Sequence, residues 1–159
     1  MNITKGFGLL LALAGATLPA GLAMAGDHVY TVGDPAYQAE CASCHIAYPP
    51  QLLPARSWRA LMSGLDKHFG TDASVDAQSA AAISAFLERN AGRKRASKYS
   101  SSAEPVLRIT ETRWFVHEHD EVPARTWKNP KVKSAANCTA CHAGADKGNF
   151  SEHGIRLPK

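Results

Sequence analysis

The sequence predicts a mainly α-helical chain built in two unequal parts. Three observations predict it. Apolar residues recur at helical spacing between residues 57 and 90. Residues 105–159 show only weak periodicity and carry Gly144, Gly148, Gly154 and Pro158, which marks a smaller, loop-rich part. Each part holds one copy of a five-residue pattern, Cys41-Ala42-Ser43-Cys44-His45 and Cys138-Thr139-Ala140-Cys141-His142, and the two copies contain all 4 cysteines.

The elements follow in chain order. Residues 1–25 have one basic residue, Lys5, then an apolar run that ends at Ala23-Met24-Ala25. That is a secretory signal, with cleavage expected before Gly26. Gly15, Pro19 and Gly21 interrupt the run, which suits a signal better than a membrane span of about 20 apolar residues. No second run of that length follows, so no stable membrane insertion is expected. The expected location is the periplasm. The whole chain carries 18 Lys and Arg against 14 Asp and Glu, a net charge of +4. This mild excess on an exported chain points to no nucleic-acid function.

Asp34-Pro35 opens a helix, with Asp as N-cap and Pro in the first turn. The helix is expected to run through Tyr37 into Cys41–His45. The stretch from Tyr48 to Pro54 reads as an extended loop. Ser57 is expected to cap a second helix, whose Trp58, Leu61, Met62 and Leu65 form an apolar stripe. A third helix spans about Val75 to Asn90, with Ala80, Ile83 and Leu87 on one face and Gly92 as its stop. Residues 92–104 are basic and Ser-rich and read as a linker. A docking patch for an acidic redox partner is the second reading of Arg93–Lys98. Thr112–Val122 is a candidate helix carrying Phe115 and His119, and Ser134–His142 holds the second copy of the pattern.

C-x-x-C-H is the attachment signature of c-type haem. On a helix, positions i, i+3 and i+4 share a face. Two thiols can therefore meet the two vinyl groups of one porphyrin while the histidine turns to the iron. Zinc is the first rival, but its paired C-x-x-C motifs are normally about 15–20 residues apart. Here 93 residues separate Cys44 from Cys138. A thioredoxin-like dithiol is the second rival, and it would need a βαβ context that the sequence lacks. Two covalently bound haem c groups are expected, on Cys41 and Cys44 and on Cys138 and Cys141.

Helix, haem motif, loop, helix, helix resembles a small class I cytochrome c domain. The expected organisation is a signal peptide (1–25), a cytochrome c-like domain for haem 1 (26–91), the linker (92–104) and a small domain for haem 2 (105–159). A covalent haem would supply most of the core of that last part.

His45 and His142 supply one axial ligand to each haem. The sixth ligand of a cytochrome is usually Met or His. Downstream of the signal only Met62 remains, and its place on the apolar stripe marks it as a core residue. His28, His68, His117, His119 and His153 are left. His68 lies before the last helix of the first domain, where the class I sixth ligand arrives, and is assigned to haem 1. His119 and His117 compete for haem 2. On a helix, His119 shares a face with Phe115 and Val122, whereas His117 lies nearer the polar side, so His119 is preferred. The crossed pairing, with His119 on haem 1 and His68 on haem 2, stays open. Trp58, Trp114, Phe69 and Phe115 are candidate haem-lining residues, with ordinary core packing as the competing reading. Arg56, Arg59, Arg108 and Arg113 are candidate propionate partners, with plain surface exposure as theirs.

The stretches ECASCHIAYPPQLLPARSW, HFG, RITETRWFVHEHDEVPA, SAANCTACHAGADKGNF and IRLP cover nearly all of residues 37–158. They resemble the bacterial diheme cytochrome c family known as DHC. The resemblance implies bis-His ligation by His45, His68, His119 and His142, low reduction potentials and a periplasmic electron-transfer role. It also implies a high-spin, SHP-type c-type haem protein as electron acceptor and a membrane b-type cytochrome as possible donor.

Taken together, the expected function is that of an electron carrier, not an enzyme, acting as a monomer. Two imidazoles on each iron leave no place for substrate and favour outer-sphere transfer. The rival is a diheme peroxidase or reductase, or a haem ligand sensor, each of which needs one open axial site.

Overall fold

A computed structural model describes residues 29–93 and 104–159. The signal segment 1–25, His28 and most of the basic run at 92–104 lie outside the described residues. The described chain is mainly helical, and its β structure there is confined to isolated bridges. Three helices, α1 (Pro35–Cys41), α2 (Ala55–Met62) and α3 (Ala77–Asn90), form the first half. Two short ones, α4 (Arg113–Glu118) and α5 (Ala124–Trp127), stand among 3₁₀ turns in the second.

The α1 helix starts as its sequence dictates. The Asp34 carboxylate accepts from the Tyr37 N–H at 2.9 Å, and Pro35 fills the first turn, where no N–H is needed. Its end differs from expectation. The helix stops at Cys41, and residues 42–45 continue as turns and a bend. Local side-chain bonds take over there. The Ser43 hydroxyl donates to the Glu40 carbonyl, and His45 Nδ1 to its neighbour Ile46. Such bonds compete with the helical ladder.

The Tyr48–Pro54 stretch is not a simple extended loop. Pro50–Leu52 closes a 3₁₀ turn, and Pro49, Pro50, Leu52 and Leu53 are buried. Ser57 does not cap α2. The helix begins three residues earlier than a Ser57 cap would place it, with the carbonyl of the extended Pro54 accepting from the N–H groups of Ser57 and Trp58. Ser57 is instead fully buried inside the first turn.

Three of the four stripe residues face inward, while Leu65 lies beyond the helix in a 3₁₀ turn. Trp58 is buried and donates its Nε1–H to the Pro50 carbonyl at 2.7 Å, while Leu61 and Met62 pack on the core. The α3 helix starts at Ala77, not Val75. The Asp76 carboxylate accepts from the N–H groups of Gln78 and Ser79 and so fixes the start. Ile83, Phe86 and Leu87 form its buried face. With Tyr37, Ala47, Leu53 and Trp58 they make the core, as α1 and α2 both pack on α3. Fully burying each large apolar side chain contributes about 1.5–3 kcal/mol.

The second half is thinner. Thr112 caps α4 by accepting from the Phe115 N–H at 3.1 Å. The helix ends at Glu118 instead of running to Val122, because His119 leaves helical geometry at φ −125°. A turn closed by Val122 N–H on the His119 carbonyl follows. Phe115, Val132 and Ala145 are the buried apolar side chains of this half.

The two halves touch. The Tyr48 hydroxyl donates to the Ala136 carbonyl at 2.7 Å, and Arg108 stacks over the Phe69 ring at 4.0 Å. At the start of the described chain, Val29 bridges Asn149, and the Tyr30 N–H donates to the Gly148 carbonyl at 2.8 Å.

Candidate haem-binding sites

Each five-residue motif is set by its local backbone. In the first, Cys41 closes α1, and Cys44 and His45 sit on the exposed turns beyond it. In the second, a 3₁₀ turn at Cys138–Ala140 carries the cysteines, and the His142 N–H bonds back to the Cys138 carbonyl at 2.8 Å. None of the four cysteines is in a disulfide. Burial pushes the Cys41 thiol up to about 11, with Glu40 adding to the effect. Burial likewise pushes Cys138 up to about 11, and it raises Cys141 as well. A reactive dithiol needs the opposite shift, toward the thiolate. Among the described residues no three His, Cys, Asp or Glu side chains converge, so the two C-x-x-C pairs do not gather around one ion.

The histidines form two close pairs, tilted by 31° in the first and edge-on at 74° in the second. The ring centroids of His45 and His68 are 6.1 Å apart, and those of His142 and His119 are 6.2 Å apart. Two imidazoles that bind one ion from opposite sides, each with a metal–nitrogen bond of about 2 Å, place their ring centres about 6 Å apart. The residues present therefore fit one haem iron between each pair. The structure brings His68 beside His45 and His119 beside His142.

Each pair is assembled from two elements. A tight turn presents His68: Phe69 adopts φ 50° and Gly70 φ 95°, and the Thr71 N–H returns to the His68 carbonyl at 3.0 Å. Gly70 is required where φ is positive. His119 caps the end of α4, and its ring stacks on Phe115 with centroids 4.0 Å apart. His119 thus stands at the helix end and not on the helical face that the sequence suggested. His117 is exposed, and its Nδ1 lies 3.8 Å from the Asp120 carboxylate. His153 is exposed too.

The members of each pair are held in different ways. His45 Nδ1 donates to the Ile46 carbonyl at 2.7 Å, and His119 Nδ1 to the Phe115 carbonyl at 2.8 Å. Such a bond fixes the tautomer and leaves Nε2 for a metal. The Nδ1 atoms of His68 and His142 are buried without a hydrogen-bond partner. Rings hold these two instead. Phe69 lies 4.8 Å from His68, and Phe150 lies 5.3 Å from His142. Burial, then the neighbouring His45 and Arg108, holds His68 below the ordinary histidine range. Burial and His119 do the same for His142. Both shifts favour the neutral imidazole, the form that binds a metal.

Of the other predicted residues, Trp58 and Met62 belong to the core. Arg59 pairs with Glu88 at 2.6 Å and Arg108 with Glu111 at 3.5 Å. Besides Phe150, three residues at the sites were not anticipated. Trp127 stands 5.9 Å from His119, Tyr48 stands 4.9 Å from His45, and Tyr30 meets Phe150 edge-on at 5.6 Å. The signal for Tyr48 was its position three residues after His45. Nothing local marked Tyr30 or Trp127.

Residues 37–150 match the family model described as dihaem cytochrome c. A solved diheme cytochrome c from Rhodobacter sphaeroides is 46% identical, with a TM-score of 0.70, over 77% of this chain and 99% of that one. A crystal structure of a diheme c-type cytochrome from Shewanella baltica OS155 is 43% identical, with a TM-score of 0.66, over 78% of this chain and 92% of that one. No curated protein matches the chain.

Proposed function

The chain belongs to the dihaem cytochrome c family, and from that premise we propose that it is a low-potential, outer-sphere electron carrier of the periplasm with two histidines on each iron. It carries two covalently bound haem c groups, whose irons supply one-electron chemistry. The facing imidazoles carry the reading: His45 opposite His68 and His142 opposite His119, each pair with centroids about one ion's span apart.

Four chain residues do the work. His45 and His119 direct their Nδ1–H groups at carbonyls, which leaves Nε2 for the metal and raises its basicity. Burial shifts His68 and His142 toward the neutral form. With His45 and His68 holding one iron and His142 and His119 the other, substrate would have no place to bind. A set of imidazoles lacks the potential-raising effect of a thioether, and Met62 is engaged in core packing. Export rests on the signal-like residues 1–25, and among the described residues no helix is long and apolar enough to cross a membrane. The proposed acceptor is a high-spin, SHP-type c-type haem protein, and a membrane b-type cytochrome is the proposed donor. Both come from the family resemblance.

Exposure of the reduced holoprotein to carbon monoxide at neutral pH tests the closed sites. No binding is expected, and the spectrum should stay low-spin in both oxidation states, with negligible peroxide turnover. Rapid carbon monoxide binding at one native haem would replace the carrier with an enzyme or a sensor. Stopped-flow mixing with a high-spin c-type acceptor tests the partner, and fast electron transfer is expected. A sluggish reaction there would remove that partner while leaving the carrier.

A further inference from the structure

The imidazole of His142 lacks the carbonyl bond that orients its partner His119, so packing must orient it. Its neighbour is Phe150, with ring centroids 5.3 Å apart. Phe150 is in turn met edge-on by Tyr30, at 5.6 Å and an interplanar angle of 69°. Tyr30 belongs to the opposite end of the chain. Its backbone is fixed there by the bond from its N–H to the Gly148 carbonyl at 2.8 Å and by the Val29–Asn149 bridge. Gly148 permits the approach. Its φ is +76°, and a Cβ at that position would lie 2.3 Å from the Tyr30 carbonyl oxygen. Residues 29–30 thus form a strap laid across the 148–150 segment.

We propose that this N-terminal strap is a positioning element of the second haem site, in which Tyr30 seats Phe150 and Phe150 sets the orientation of the His142 ring. The inference rests on the reading of His142 as an iron ligand. It also implies that the second site is not complete within residues 105–159. The chain that opens on the first half must fold back before His142 is held. The first site has a local counterpart in Phe69, packed on His68 beneath Arg108. That ring follows its histidine directly in sequence and needs no strap.

Electron paramagnetic resonance of the oxidised holoprotein tests the proposal, because low-spin signals report the orientation of axial imidazoles. Tyr30→Ala is expected to shift one of the two haem signals and leave the other in place. Tyr30→Phe keeps the ring that meets Phe150 and should restore the native signal. Two unchanged signals in folded Tyr30→Ala would overturn the proposal, as would equal shifts of both, or a shift that Tyr30→Phe does not reverse. If Tyr30→Ala yields no diheme protein, nuclear Overhauser contacts in the native holoprotein decide. A Tyr30–Phe150 ring contact together with native signals in Tyr30→Phe supports the strap, and absence of that contact overturns it. Failure of the ligand reading itself looks different, since the native protein would then bind carbon monoxide or lack one low-spin signal.

Discussion

Replacing His119 with Ala removes the imidazole that faces His142 at 6.2 Å. The nearest alternative on the same element is His117. Two residues earlier on a helix, it points about 200° away around the axis. It is exposed beside Asp120 and cannot substitute without unwinding α4. One haem of the two should therefore become five-coordinate and high-spin, while the His45–His68 site stays low-spin. Covalent haem content should stay at two, because Cys138 and Cys141 are untouched. Reduced His119→Ala should bind one carbon monoxide per chain, measured by spectrophotometric titration. The variant also loses the Nδ1 bond to Phe115 and the 4.0 Å ring stack. Together these cost about 2 kcal/mol of stability, so the protein should melt earlier but remain folded. An unchanged spectrum in His119→Ala, with His117→Ala generating the high-spin species, would refute the assignment and the helix-face reasoning behind it.

Thr112→Ala removes the hydroxyl that caps α4 and should cost about 1 kcal/mol in denaturant unfolding, with both haems still low-spin. Tyr48→Phe removes the hydroxyl bond to Ala136 that ties the halves together; a loss of about 1 kcal/mol is expected, and no loss would mean the bond contributes nothing in solution. Mass spectrometry of the denatured protein should give the mass of the chain plus two haems, and a single haem or none would remove the attachment sites at Cys41, Cys44, Cys138 and Cys141.

Much of the first half was legible because its signals are local. Asp34-Pro35 and the stripe on α2 each specify structure within one helical turn, and α1 and α2 follow them with small shifts at the ends. The shifts have local causes as well. Pro54 displaced the supposed Ser57 cap: it is the extended residue whose carbonyl accepts the first helical bonds, and the helix starts with no side-chain cap. Asp76 was a better cap for α3 than the Val75 boundary allowed, since its carboxylate reaches two N–H groups at once. In the second half the stop of α4 at His119 was hidden. The histidine's bond to the Phe115 carbonyl accompanies a backbone that leaves the helix, and sequence periodicity carries no sign of such a bond.

The attachment motifs were the strongest sequence signal because covalent chemistry demands fixed spacing. The partners opposite them demand only a position in space. His45 and His68 are separated by 22 residues, and His119 and His142 by 22 as well; neither spacing follows a helical or strand period that would reveal a pair. The fold brings them together by separate devices, a positive-φ turn for His68 and a helix end for His119. All four imidazoles meet an aromatic ring, and within each pair one of them is also aimed by a carbonyl. The roles are exchanged between sites: the motif histidine takes the carbonyl in the first, and the facing histidine takes it in the second. A carbonyl bond raises the basicity of the ligand that makes it, whereas a ring contact only restrains orientation. Each iron would thus have one strengthened and one sterically held ligand. The total donor strength at the two sites would be similar, so any difference between their potentials must come from the surroundings. Those surroundings do differ. The first site rests on the packed α1–α3 core, while the second has Phe115, Val132 and Ala145 as its buried apolar side chains and the strap from residues 29–30 to close it.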